Sequence, residues 1–138
     1  MENLLENDHN KPGSQNPKRI YLIDDDPAAR FLLRLFLEHQ GHQCFEAEQG
    51  SPALTFLKEG HLVDLILTDN QMPHMSGLEF LEKLPETLSS PPPVIIYTGQ
   101  FSEDLKHQAL QLGAYAVLSK PYTFPEILET INQALASS

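Results

Sequence analysis

The stretch LILTDNQMP, Leu65 to Pro73, runs four apolar or β-branched residues straight into a carboxylate, Asp69, and then meets a proline that stops any strand. With Asp64 ahead of it, the run DLILT is predicted to be a strand. Its unbroken apolar character suits a strand covered on both faces, as in a parallel sheet. One acid at a strand end carries little meaning alone. Its meaning depends on which other polar groups arrive at the same rim.

Working outward, strand and helix signals alternate from Arg19 onward. IYLI (Ile20 to Ile23) is a second buried run. Asp26-Pro27 then offers an N-cap followed by proline at the first helical position, and the helix through AARFLLRLFLEHQ should end at Gly41. QCFEAE is a weaker strand; Ser51-Pro52 opens a second helix that Gly60 closes. Ser76 and Glu79 have capping-box spacing ahead of Leu78, Leu81 and Leu84. PETLSSPPP is too rich in proline to be helical or a central strand. VIIYT is the fourth strand, a helix runs from near Ser102 to Gly113, and AYAVLS is the fifth strand. Thr123 and Glu126 form another capping box, opening a helix striped by Phe124, Ile127, Leu128, Ile131 and Leu135. Five strand–helix units imply an α/β fold, a doubly wound five-stranded parallel sheet of flavodoxin-like type with five helices, right-handed crossovers and order 2-1-3-4-5.

Length and charge set bounds. The chain has 138 residues, enough for one core, with 19 acidic against 9 basic residues and a formal charge of -10. That balance argues against a direct nucleic-acid partner or an anionic membrane, although it also simply aids solubility. Cys44 is the only cysteine, which excludes an internal disulfide and fits a reducing, cytoplasmic setting. No signal-peptide pattern or membrane-spanning apolar run is present. Residues 1–18 are polar and read as an arm before a domain over 19–138; a short partner-docking helix through Leu4 and Leu5 is the alternative.

In such a sheet, ligands bind beyond the carboxyl ends of the strands where strand order reverses, between strands one and three. Strand one ends in Asp24, Asp25 and Asp26, strand three in Asp69, strand four in Thr98 and Gly99, strand five in Ser119, Lys120 and Pro121. Carboxylates gathered this closely repel one another unless cations offset them. Mg2+ takes one or two protein carboxylates and leaves positions for phosphate oxygens. A carboxylate beside Mg2+ and a lysine can attack phosphorus and form an acyl phosphate.

The four motifs LIDDDP, LTDNQMP, IYTG and LSKPY, in order and each at a strand end, resemble the CheY-like receiver domain of two-component response regulators over about Arg19 to Leu135. The resemblance implies that Asp69 accepts a phosphoryl group from a histidine kinase or histidine phosphotransfer protein. It implies Mg2+ held by Asp25 and Asp69, with Asp24 on a water of its shell and Gln71 giving its backbone carbonyl. Thr98 and Lys120 would contact the phosphoryl group, and the Lys120–Pro121 bond would be cis. Phosphorylation would switch the helix four–strand five–helix five surface toward a partner, which leaves a phosphorylation-dependent homodimer open. The domain would catalyse only its own phosphorylation and dephosphorylation, and no output domain is expected before Ser138.

Plainer readings stand beside these. Asp26 is explained by capping, Asp64 lies at the wrong strand end and is expected to be solvated, the histidines lack metal-site spacing, and Cys44 reads as core. Gly99 should leave the site open to bulky donors or attacking water. One departure from the family is Val117, at the usual switch-aromatic position; Tyr115 shares its strand face and is a candidate substitute. The rival functions are a phosphorylation-deficient pseudo-receiver adaptor, a haloacid-dehalogenase-like phosphatase and a flavin binder. Asp24-Asp25-Asp26-Pro27-Ala28 lacks the threonine of the phosphatase motif, and all the matched acids, Thr98 and Lys120 are present.

Overall fold

The structure is a computed structural model that describes residues 17–137. Its strands are β1 (Arg19–Ile23), β2 (Gln43–Ala47), β3 (Leu65–Asp69), β4 (Val94–Thr98) and β5 (Ala116–Ser119). The helices between and after them are α1 (Pro27–His39), α2 (Gly50–Lys58), α3 (Gly77–Thr87), α4 (Glu103–Gln111) and α5 (Phe124–Ser137). All pairings are parallel and the order is β2-β1-β3-β4-β5, as the alternation of signals predicts.

Every residue of β3 and β4 is buried, which is why both read as unbroken apolar runs. The edge strands β2 and β5 alternate between buried and open positions, which accounts for the weak signal of QCFEAE. Side chains alternate across the sheet. Tyr21, Ile23, Ile66, Val94, Ile96 and Val117 face one core with Ala53, Leu57, Phe80, Leu84 and Ala109. Ile20, Leu22, Leu65, Leu67, Ile95 and Tyr97 face the other, covered by Leu33 and Leu37 of α1 and Ile127 and Ile131 of α5. Each fully buried leucine or isoleucine among these contributes on the order of 1.5–3 kcal/mol over an exposed one.

Three caps hold where the sequence places them. Asp26 accepts from the N–H groups of Ala28 and Ala29, Ser76 and Glu79 bond reciprocally, and so do Thr123 and Glu126. Two expectations change. Helix α3 runs through Pro85 to Thr87, because proline in the last turn deprives only one carbonyl of its donor. The second helix starts at Gly50, not at a Ser51 cap; its N-cap, Gln49, makes no side-chain cap bond. Asp64 is exposed, as expected, and its Oδ2 also accepts the Arg19 N–H at 2.8 Å, tying the starts of β1 and β3 together. The arm expected over residues 1–18 falls outside the described residues except for Pro17 and Lys18. Lys18 itself already joins the sheet, since its carbonyl accepts the Gln43 N–H at 2.9 Å and its N–H donates to His42 Nδ1 at 3.1 Å. Cys44 is buried core, as expected.

Candidate functional site

Register decides what meets at the rim. Ile23 pairs with Thr68, and Asp69 with Tyr97, so Asp24, Asp69 and Tyr97 follow one another across β1, β3 and β4 on one row. One ligand oxygen from each of Asp24, Asp25 and Asp69 falls within 4.8 Å of the others. Asp24 is fully buried and Asp69 nearly so, whereas Asp25 opens to solvent.

Two of the three carboxylates, Asp69 and Asp24, are fixed by named donors. Asp69 Oδ1 accepts the Gln71 N–H at 3.1 Å, and its Oδ2 accepts from Lys120 Nζ at 3.2 Å. Asp24 Oδ1 accepts the Asp26 N–H at 2.9 Å, and its Oδ2 accepts the Tyr97 hydroxyl at 2.9 Å. Burial pushes the Asp24 carboxyl above its ordinary range, while the Asp26 and Tyr97 donors and the Lys120 charge pull it back and Asp69 adds to the rise. The Tyr97 phenol is pushed well above 10, first by burial and then by the Asp24 charge. Burial likewise raises Tyr122, at the mouth of the site, to about 12.

Thr98 is buried at the end of β4; its Oγ1 accepts the Gln100 N–H at 3.0 Å and donates to Gln71 Oε1 at 3.3 Å. Gln71, expected to give its backbone carbonyl, also occupies the Thr98 hydroxyl with its side chain. Lys120 follows β5 and its bond to Pro121 is cis. Asp26 serves as the cap, and its exposed side chain stands apart from the three-carboxylate group.

Two contributors were not read from the sequence. Arg30 donates through Nη1 to the Asp24 carbonyl and through Nε to Glu46 at 2.6 Å, bracing the loop after β1. Tyr97 is the other. A tyrosine inside a buried run reads as core, yet a buried phenol needs a partner, and strand alternation already places it on the face of Asp69. Tyr115 is 38 % exposed, while Val117 sits in the core beside Ile96.

The three carboxylates supply hard oxygen donors only, a set that fits Mg2+ and suits neither soft nor nitrogen-seeking metals. A family profile described as the response regulator receiver domain matches residues 20–132. The chain belongs to the response regulator receiver domain family.

This receiver domain is 34% identical over 119 residues to protein PilH of Pseudomonas aeruginosa, covering 86% of the chain and 98% of PilH. It is 34% identical over 109 residues to the autoinducer 2 sensor kinase/phosphatase LuxQ of Vibrio vulnificus, covering 79% of the chain and 13% of LuxQ. Against the phosphate regulon transcriptional regulatory protein PhoB of Pseudomonas aeruginosa it is 32% identical, covering 86% of the chain and 52% of PhoB. The receiver domain thus spans about half of PhoB and a small part of LuxQ. Among solved structures, the beryllofluoride-activated NtrC4 receiver domain dimer superposes with a TM-score of 0.79 at 31% identity, covering 86% of this chain and 97% of that one. The receiver domain of a Luxo repressor protein from Vibrio parahaemolyticus gives 0.81 at 27%, covering 88% and 92%. Receiver domains are phosphorylated by histidine kinases and bind Mg2+ at an acidic pocket, and this chain has an acidic cluster of Asp24, Asp25 and Asp69 at its strand ends. No described helix is long and apolar enough to cross a membrane.

Proposed function

We propose that this receiver domain accepts a phosphoryl group on Asp69 from a phosphohistidine donor, carried by a histidine kinase or a histidine phosphotransfer protein. The carrying observation is the Asp69 carboxylate at the strand end, with Lys120 Nζ at 3.2 Å on one side and the Asp24 and Asp25 oxygens on the other. Asp24, Asp25, Asp69 and the Gln71 carbonyl would hold Mg2+, whose charge, when bound, offsets the carboxylates and the incoming phosphoryl oxygens.

The chain's own residues do the rest. An Asp69 oxygen attacks phosphorus, the P–N bond to the donor imidazole breaks, and the leaving nitrogen regains a proton, so that an acyl phosphate stands on Asp69. Lys120 exchanges part of its bond to Asp69 for a phosphoryl oxygen. The Thr98 hydroxyl gives up Gln71 for another, which draws the end of β4 toward the site. The α4–β5–α5 surface follows, and with Val117 in place of an aromatic, Tyr115 is the side chain able to report that shift. The only chemistry assigned is the domain's own phosphorylation and dephosphorylation.

Hydroxylamine tests the assignment, because it cleaves an acyl phosphate and leaves a hydroxamate on the acceptor. After phosphorylation by acetyl phosphate, peptide mass spectrometry should place that hydroxamate on Asp69. A hydroxamate on Asp24 or Asp25, or phosphate that resists hydroxylamine, refutes the assignment.

A further inference from the structure

We propose that Tyr97 is a positioning residue for the acidic pocket, its hydroxyl fixing Asp24 and its ring carrying Lys120, so that one buried side chain aligns both the anionic and the cationic half of the site. The inference rests on the phosphoacceptor reading above and assigns a role that the strand-end motifs leave out.

Asp24 is fully buried, so bulk water cannot hold its orientation. Its two oxygens are held separately, one by the Asp26 N–H and one by the Tyr97 hydroxyl, 73 residues away in sequence. A carboxylate has about four acceptor sites, so each oxygen keeps capacity toward a cation after these bonds form. Loss of the hydroxyl leaves one oxygen without its donor and the carboxylate free to turn. The Tyr97 ring cannot follow it: the ring is 1% exposed, meets Tyr122 edge-on at 5.8 Å and packs in the core under α1 and α5. On the other side, Lys120 Nζ lies 4.9 Å from the Tyr97 ring centroid and 3.2 Å from Asp69 Oδ2. Attraction to the ring face holds the ammonium over the acceptor carboxylate. The hydroxyl and the ring therefore have separable tasks.

Donors to metal-binding carboxylates typically alter metal affinity by about 10–100-fold. The test is calorimetric Mg2+ titration of the wild type, Tyr97→Phe, Tyr97→Leu and Asp25→Asn, beside phosphorylation by acetyl phosphate across a range of Mg2+. Tyr97→Phe keeps the ring, so Mg2+ should bind about tenfold more weakly and the Mg2+ requirement for phosphorylation should rise by the same factor. The rate at saturating Mg2+ should hold. Tyr97→Leu should weaken Mg2+ binding as much and also lower the saturated rate, because Lys120 loses its platform. Wild-type affinity in Tyr97→Phe, or a lower melting temperature with no change in affinity, overturns the inference and leaves the phosphoacceptor reading standing. Mg2+ binding absent from the wild type, or unchanged in Asp25→Asn, overturns both. If Tyr97→Phe does not fold, the wild type decides: Mg2+ must perturb the tyrosine absorption band, and a spectrum indifferent to Mg2+ overturns the proposal.

Discussion

Asp69 is held in place by a backbone that passes unusually close behind it. Asn70 donates its N–H to the Tyr97 carbonyl at 3.0 Å and accepts the Gly77 N–H on its own carbonyl at 3.0 Å; its side chain accepts the Leu78 N–H at 3.0 Å. A Cβ on Gly77 would lie 2.8 Å from the Asp69 carbonyl oxygen and 3.0 Å from Asn70 Cα, both backbone atoms that cannot swing aside. Gly77→Ala should therefore cost about 1–3 kcal/mol in urea unfolding and weaken Mg2+ binding by displacing Asp69. At this scale the sequence was informative where side-chain chemistry stands at a strand end: Asp24, Asp25, Asp69, Thr98 and Lys120 each follow an apolar run. Tyr97 was not legible because its role depends on a hydroxyl partner on another strand. Gln71 was half legible, its backbone position following from Asp69 and its side-chain bond to Thr98 depending on how the loop folds.

Helix α1 separates two duties that the run Asp24-Asp25-Asp26 leaves mixed. Asp26 bonds Ala28 and Ala29 N–H groups and does not join the three-carboxylate group. Asp26→Ala should lose about 1 kcal/mol of stability and leave Mg2+ affinity and phosphorylation unchanged; a large fall in affinity would make Asp26 part of the metal site. Caps were readable because side chain and backbone partner lie within three residues. The start of α2, where a distant side chain crowds the backbone, and the end of α3, where a local bond carries the helix past Pro85, were not. Gly50 lies so close under Met75 that a Cβ there would meet its sulfur at 2.6 Å, and Leu88 N–H closes α3 on the Leu84 carbonyl at 2.9 Å beyond Pro85.

Two expectations belong to the whole molecule. The strand starts, opposite the site, gather Lys18, Arg19, His42 and Asp64. Burial lowers the His42 pKa below its ordinary 6.5, Lys18 lowers it further and Asp64 opposes them, while Nε2 is buried without a partner. Between the folded value and 6.5 the unfolded chain binds more protons, so stability falls as pH drops through 6.5 and the loss levels off below the folded pKa. Urea midpoints across that range should fall more steeply for the wild type than for His42→Gln, and parallel curves would refute the linkage. The sequence marked the histidines as incidental; only the packing of β2 against Lys18 shows that one is buried. At the other end of the sheet, Mg2+ binding to the folded chain alone should raise stability by about 2.7 kcal/mol at a hundredfold excess over Kd. That rise should vanish in Asp25→Asn.

The central claim is that Asp69 is the phosphoacceptor of a Mg2+-dependent site, and intact mass after incubation with acetyl phosphate and Mg2+ tests it most directly. The wild type should gain one phosphoryl group, while Asp69→Ala, or the wild type with chelator, gains none. Equal addition to Asp69→Ala, or addition indifferent to chelator, would contradict it.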